Sequence, residues 1–313
     1  MKQTCKIIPE ILISFILMSL FTSCTLKKET VSSDNIVVMT SFYPMYIIAE
    51  NVIGDTEGVD LENMAPPQTG CLHDYQLTAG DMKNLDKADI FIINGGGMES
   101  FIDHALSLYP NLNIVDVSYG VTELSEEHID EHLSEYNTNN HEHEHEINSH
   151  FWIFPDNAAV QAQNICSALS KISPENSDKF RVNTDKFIAS ISSIPKFDGT
   201  DIKACVFNEA FEYFQLSYDM EIPICVEMDE NETPSAKELA DIITYVKNEN
   251  IKLLIAADDA GVSLAETIER ETDAVAIKLD PVLTGNYTAD SYVSAMTANT
   301  KKLNEAVNGV DLK

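Results

Sequence analysis

Residues 89–94, Asp-Ile-Phe-Ile-Ile-Asn, place four consecutive apolar residues between two polar ones, and three glycines follow directly at residues 95–97. A short apolar run bounded by turn residues is typical of a strand that is buried on both faces. A stretch with helical spacing precedes this run at residues 78–85, and a further helix is expected after the glycines. The order helix, strand, turn, helix predicts a parallel sheet covered by helices.

The same alternation extends in both directions along the chain and occurs twice. Further strand-like runs lie at residues 35–40, 59–64, 113–117, 202–207, 222–226, 251–256 and 274–279. Helical patterns separate them, and two long ones, residues 157–169 and 174–191, divide the chain near its middle. We therefore predict an α/β protein of two lobes, each with a mostly parallel sheet flanked by helices, joined by a long linking helix.

The polar stretch of residues 122–149 interrupts the first lobe and has the composition of a loop. The predicted organisation is a signal peptide at residues 1–23, a tether at 24–34, an N-terminal lobe at 35–173 that includes this loop, a linking helix at 174–198 and a C-terminal lobe at 199–313.

The first 24 residues have the pattern of a bacterial lipoprotein signal. Lys2 and Lys6 precede an apolar stretch at residues 11–21, which is too short to span a bilayer. Small residues then lead to Cys24. We expect cleavage before Cys24, acylation of its thiol and an extracytoplasmic chain anchored to the cell membrane by lipid; an ordinary secretory signal and a membrane anchor are the alternatives.

The formal net charge of the chain is −31. So acidic a surface excludes nucleic acid as a partner, because phosphate binding needs a basic surface. It suits an exported protein that stays soluble through charge.

Histidines are concentrated in one short stretch, because four of the eight lie within residues 141–150. Neutral imidazole is a preferred ligand of zinc, copper and nickel. His141, His143 and His145 alternate with glutamates in the polar loop and are expected to collect metal. His150 instead precedes the apolar run Phe151-Trp-Ile-Phe154, so we expect it in an ordered metal site.

Candidate ligands follow several predicted strands. In parallel sheets, ligands bind beyond the carboxyl ends of the strands. The residues at these places are His73, His150, Asn208, Glu209 and Asp280, and they come from both lobes. A cation held between the lobes is therefore the expected ligand.

Six segments carry a resemblance to a known family: residues 38–46, His73-Asp-Tyr75, residues 85–95, Ser149-His-Phe-Trp-Ile-Phe-Pro155, Asn208-Glu-Ala-Phe-Glu-Tyr-Phe214 and Leu279-Asp-Pro-Val282. The fourth is similar to the family segment D-P-H-x-W-L-x-P and the fifth to H-D-A-F-x-Y. Together they resemble the metal-specific (zinc or manganese) solute-binding lipoproteins of bacterial ABC importers, and the likeness covers the whole chain after the signal peptide.

The resemblance implies a monomer with two α/β lobes and a rigid linking helix that binds metal and passes it to an importer permease. It implies His73, His150 and Asp280 as ligands, and a His-rich loop like residues 141–145 is frequent in zinc-binding members. Asn208 departs from the family, which has histidine or glutamate there, so the fourth position stays open to Asn208, Glu209, Cys71 or water.

Zinc is the expected metal and manganese the alternative, because the histidines favour zinc whereas an oxygen donor at residue 208 favours manganese. A zinc hydrolase is the rival from another class, but the chain has no H-E-x-x-H run and no placed general base, so we expect no enzyme. A surface adhesin and a degenerate solute-binding protein are the remaining alternatives.

Four cysteines follow Cys24, at positions 71, 166, 205 and 225. Cys205 and Cys225 lie in successive predicted strands and are a candidate disulfide in an extracytoplasmic protein. Buried free thiols are the equally weighted alternative.

Overall fold

The computed structural model describes residues 35–65, 75, 77–102, 108–125, 147–226 and 234–310. Several predicted features lie outside these residues: the signal peptide with Cys24, the tether, Cys71, His73, and His141, His143 and His145.

The first sheet has four parallel strands, β1 (Ile36–Thr40), β2 (Val59–Asn63), β3 (Ile90–Ile93) and β4 (Asn113–Asp116), in the order β2-β1-β3-β4. The strand predicted at residues 89–94 is therefore central, and its residues Ile90, Phe91 and Ile92 are fully buried. Strand β2 lies at the edge, where charged and apolar residues alternate. A continuous apolar run thus marks a strand covered on both faces, whereas alternation marks the edge.

A short antiparallel pair follows, formed by β5 (Leu124–Ser125) and β6 (Ile147–Asn148). The second sheet contains β7 (Lys203–Val206), β8 (Glu221–Cys225), β9 (Leu253–Ala256) and β10 (Val275–Lys278), all parallel, in the order β8-β7-β9-β10. The two sheets share one strand order, in which the first strand of each lies between the second and the third. The prediction of two parallel sheets in two α/β lobes is confirmed.

Helices separate most of the strands of the two parallel sheets, as the sequence predicts. They are α1 (Tyr43–Ile53), α2 (Ala79–Leu85), α3 (Pro155–Ile172), α4 (Ser177–Ile191), α5 (Phe214–Tyr218), α6 (Ala236–Asn248), α7 (Asp259–Glu269) and α8 (Ser291–Val310). Short 3₁₀ turns lie at Ser100–Ile102, Phe151–Ile153, Pro174–Asn176 and Glu209–Tyr213. Among the helices that the structure describes, none is long and apolar enough to cross a membrane.

Helices α3 and α4 connect the two sheets along the chain. Helix α4 packs against α1 and α3 and buries Phe180 and Phe187. The ring of Phe187 also meets Tyr292 of α8, with centroids 5.7 Å apart. Helix α8 contacts both β10 and α1. The last described helix therefore bridges the two lobes, in addition to the link through α4.

Cys205 and Cys225 do not form the candidate disulfide, since Cys205 is a free thiol. Cys205 is paired in register with Ile224, one residue before Cys225. Successive residues of a strand point to opposite faces, so the two cysteines lie on opposite faces of the sheet and pack into different hydrophobic clusters. Burial raises the pKa of the Cys205 thiol. The alternative of a buried thiol is correct for Cys205.

Candidate metal site

Three described segments carry candidate ligands, and each follows the carboxyl end of a strand. Asn208 and Glu209 come shortly after β7, Asp280 after β10, and His150 after β6. Strand β7 lies between β8 and β9. The chain passes from β7 to β8 on one side and then crosses to β9 on the other side, so the strand order reverses at β7. Such a switch in strand order opens a crevice at the carboxyl ends of the strands, where ligands bind in open α/β sheets.

His150 is 1% exposed and lies between β6 and the 3₁₀ turn Phe151–Ile153. Its Nδ1 is 3.1 Å from Oδ1 of Asn148 and 3.7 Å from Oε1 of Glu209. Its ring packs beside the indole of Trp152, with centroids 5.1 Å apart. The imidazole thus has polar partners beside Nδ1 and an aromatic ring tilted against it.

Asn208 and Glu209 are both half-buried, but their side chains make different contacts. Oδ1 of Asn208 accepts a 3.1 Å hydrogen bond from the backbone N–H of Ala210 and thereby caps the 3₁₀ turn Glu209–Tyr213. The carboxylate of Glu209 lies near the imidazole of His150. Of the two side-chain oxygen donors that the sequence left open, Glu209 is therefore the one near His150. The side-chain oxygen of Asn208 instead accepts the hydrogen bond that caps the 3₁₀ turn.

Asp280 is half-buried, and its backbone is held at both ends by Asn299 of α8. Its N–H donates to Oδ1 of Asn299 at 2.9 Å, and its carbonyl accepts from Nδ2 at 2.7 Å. Its Oδ1 accepts a 2.7 Å hydrogen bond from the N–H of Val282. One carboxylate oxygen thus fixes the turn after β10, and the helix that bridges the lobes fixes the backbone.

A hydrogen bond connects the segments of His150 and Asp280. Nε1 of Trp152, two residues after His150, donates at 2.9 Å to the carbonyl oxygen of Pro281, directly after Asp280. Trp152 is fully buried, and Tyr292 donates to its carbonyl oxygen at 2.8 Å. The structure therefore brings the segments of these two predicted ligands together from different lobes.

Buried polar groups lie behind this site, at the carboxyl ends of β1 and β3. Glu99 is 3% exposed and accepts hydrogen bonds from Ser41 and from the backbone of Asn94 and Gly95. Burial raises the pKa of the Glu99 carboxyl to about 7, against the lowering effect of these donors. The amide of Asn94 donates at 2.9 Å to the carbonyl oxygen of Ser149, so this network reaches the residue before His150.

Within the part of the chain that the structure describes, no group of three or more His, Cys, Asp or Glu side chains is arranged to hold a metal ion. His73, the other predicted histidine ligand, lies outside that part. The described residues supply one imidazole and two carboxylates, which are ligand types that suit zinc or manganese.

Sequence reasoning missed three residues that support the candidate ligands: Asn148, Trp152 as a hydrogen-bond donor, and Asn299. Asn148 gave a signal, because it stands where the motif D-P-H-x-W has aspartate, two residues before the histidine. Trp152 lies in an apolar run, which indicates packing and not hydrogen bonding, and Asn299 lies in an otherwise ordinary helix without a local signal.

The fold, two α/β lobes that each contain a parallel sheet, is that of a class of proteins, the metal-binding solute-binding proteins. The structure is similar to that of the solute-binding protein FpvC from Pseudomonas aeruginosa in complex with Mn²⁺, with a TM-score of 0.73 and 19% identity over 88% of this chain and 99% of that one. At this identity, the likeness shows the fold alone.

Residues 38–306 match the family described as "Zinc-uptake complex component A periplasmic", and the chain belongs to this family. It is 29% identical over 263 residues to the "High-affinity zinc uptake system protein ZnuA" of Bacillus subtilis (strain 168), covering 80% of each chain. It is 26% identical over 296 residues to the "Zinc-binding lipoprotein AdcA" of Streptococcus pneumoniae (strain ATCC BAA-255 / R6). That alignment covers 91% of this chain and 58% of its relative.

Proposed function

We propose that this chain captures zinc outside the cytoplasm, in a site formed by His73, His150, Asp280 and an oxygen donor from Asn208 or Glu209, and delivers it to the permease of an ABC importer. It acts by binding and release, not as an enzyme. Family membership supports the transport role, and both relatives described above are named for zinc. Manganese is the alternative cargo, as the Mn²⁺ complex of FpvC illustrates.

The observation that carries the proposal is the hydrogen bond from Trp152 to Pro281, which connects the segments of His150 and Asp280. Imidazole and carboxylate are zinc ligands, and a cation bound by both would connect the two lobes. A permease that pulls the lobes apart would separate these two donors and release the metal. Binding needs neutral imidazole, so acid weakens capture.

The His-rich loop has a separate role in this proposal. His141, His143 and His145 bind zinc weakly, exchange it rapidly and raise its concentration near the cleft. Deleting residues 128–145 is therefore expected to slow loading at scarce zinc and to leave the dissociation constant of the tight site unchanged. Loss of the tight site in this deletion variant would contradict the separate roles of the loop and the tight site.

The proposed location rests on the signal pattern that ends at Cys24. Acylated Cys24 anchors the monomeric chain on the cell membrane, close to its permease. Replacing Cys24 with alanine is expected to abolish incorporation of labelled fatty acid and to release the chain from the membrane fraction. Continued membrane attachment of the variant would refute lipid anchoring at this residue.

Competition titration of purified protein with zinc and manganese tests the site. We expect one tight zinc site that His150→Ala or Asp280→Ala weakens at least about 100-fold, in line with losing a directly bound ligand. Asp273→Ala is the matched control, because exposed Asp273 precedes the same strand, β10, that Asp280 follows. Tight binding that survives both ligand substitutions would overturn the proposed site.

A further inference from the structure

Asn148 is 2% exposed and makes four hydrogen bonds through its side chain. Nδ2 donates to the carbonyl oxygen of Glu209 at 2.9 Å and to Oε2 of Glu212 at 2.8 Å. Oδ1 faces the backbone N–H of His150 and its ring Nδ1, both at 3.1 Å. The amide therefore connects the segment after β6 with the 3₁₀ turn after β7.

Two of these four partners fix which way the amide points. The carbonyl oxygen of Glu209 is an acceptor only, and the backbone N–H of His150 is a donor only. A flipped amide would place its NH₂ group against the N–H of His150 and its oxygen against that carbonyl oxygen. The orientation of Asn148 is thus determined without reference to the imidazole.

The orientation of the amide determines the tautomer of His150. Because Oδ1 of Asn148 is an acceptor, the ring nitrogen 3.1 Å away must carry the proton. Oε1 of Glu209, 3.7 Å from the same Nδ1, also favours a proton there by its charge. In the neutral ring, the lone pair is then on Nε2, the nitrogen on the far side from Asn148.

We infer that Asn148 is a positioning residue that holds neutral His150 as the Nδ1–H tautomer and so presents Nε2 as the metal donor. This inference rests on the proposed function insofar as His150 is a ligand, but the tautomer itself is a property of the metal-free protein. A hydrogen bond to the second nitrogen of a ligating histidine fixes its ring and raises its basicity, and its loss costs about 10–100-fold in metal affinity.

The first test is the tautomer of His150 in metal-free protein, read from the ¹⁵N chemical shifts of its two ring nitrogens at a pH where the ring is neutral. We expect Nδ1 to be protonated in the wild type and the two tautomers to be mixed in Asn148→Leu. A wild-type ring protonated on Nε2 would overturn the inference, whatever the protein binds.

The second test is zinc affinity. We expect Asn148→Leu to weaken zinc binding about 10–100-fold. Asn157→Leu is the matched control, because Asn157 is a 1% exposed amide that bonds only the backbone of Thr122 among the described residues. We expect it to lower stability without changing zinc affinity. Equal zinc affinity for Asn148→Leu and wild type would contradict the positioning role.

The double variant Asn148→Asp/Glu212→Gln separates positioning from folding. An aspartate keeps an acceptor for Nδ1–H, and the glutamine amide restores the hydrogen bond between residues 148 and 212 with reversed polarity, while the hydrogen bond to the carbonyl oxygen of Glu209 is lost. We expect tighter zinc binding than in Asn148→Leu and the Nδ1–H tautomer retained. If Asn148 acted only as a structural amide, this double variant would bind zinc as weakly as Asn148→Leu.

His150→Ala separates this inference from the proposed function. If His150→Ala keeps tight zinc binding while the tautomer result holds, the proposed site fails and the inference about the ring stands.

Discussion

Trp152 Nε1 and the carbonyl oxygen of Pro281 are 2.9 Å apart and form a hydrogen bond between residues 129 positions apart in the sequence. The bond lies two residues after His150 and one residue after Asp280. Pro281 has no backbone N–H, so its carbonyl is its only hydrogen-bonding group. Since Asn299 also holds the backbone of Asp280, the turn after β10 is fixed from two sides.

Replacing Trp152 with phenylalanine should therefore loosen the turn that carries Asp280. The variant keeps an aromatic ring but loses the donor to Pro281. We expect a loss of about 1–3 kcal/mol in the free energy of unfolding and weaker zinc binding. Tyr292→Phe is the control, because it removes a buried hydrogen bond to the carbonyl of Trp152 without touching Pro281. Denaturant unfolding would measure the stability of both variants, and zinc titration would measure their affinity. Equal zinc affinity for Trp152→Phe and Tyr292→Phe would refute the role of the indole in holding the turn of Asp280.

Most strands of the two parallel sheets were predictable because they are short apolar runs between turn residues, as residues 89–94 illustrate. The short strands β5 and β6 were not, because they lie within residues 122–149, which the sequence predicts to be a loop. The repeated strand order of the two sheets was not predictable, because pairing between strands leaves no local pattern. The helix expected after Gly97 appears, among the described residues, only as the 3₁₀ turn Ser100–Ile102.

The candidate site was predictable in part. Position after a strand end pointed to His150, Asn208, Glu209 and Asp280, because parallel strands bring their carboxyl ends to one edge. The role of each side chain depends on contacts that the sequence does not encode locally. Asn208 Oδ1 caps a turn, whereas Asn148, an equally polar residue, faces the histidine.

Substituting Asn208 with histidine tests whether this position reaches the metal. Imidazole is a stronger zinc ligand than an amide oxygen, so we expect Asn208→His to bind zinc at least about 10-fold more tightly. Asn208→Ser is the control, since serine retains the cap on Ala210 and should leave stability within about 0.5 kcal/mol of wild type. Unchanged zinc affinity in Asn208→His would show that residue 208 is not a ligand and would leave Glu209 as the oxygen donor.

Glu99 should make stability depend on pH. Its pKa is raised from 4.5 to about 7 in the folded protein, first of all by burial. The folded state therefore binds this proton more tightly than the unfolded state, so the contribution of Glu99 to stability is fully present below pH 4.5 and is lost as pH rises to about 7. At 1.36 kcal/mol per pKa unit, the fall is at most about 3 kcal/mol.

Glu99→Gln should remove that fall, because glutamine does not titrate. Denaturant unfolding of metal-free protein at a series of pH values would measure the free energy of unfolding. Glu305→Gln, an exposed position on α8, is the control and should keep the wild-type profile. If Glu99→Gln showed the same pH dependence as wild type, Glu99 would not be the group responsible.

Gly96 and Gly97 differ in what surrounds them, although both have positive φ, +64° and +88°. A Cβ atom on Gly96 would lie 2.5 Å from Cζ of Phe151, the residue after His150, whereas one on Gly97 would meet nothing within 4 Å. Alanine at either position costs about 1–2 kcal/mol for the backbone conformation. Gly96→Ala must in addition displace Phe151, at a further cost of about 1–3 kcal/mol.

We therefore expect Gly97→Ala to lower stability without changing zinc affinity. We expect Gly96→Ala to lower stability further and also to weaken zinc binding by shifting His150. Thermal unfolding and zinc titration of the two variants side by side would measure the difference. Identical behaviour would mean that the glycine turn after β3 does not help to place the histidine.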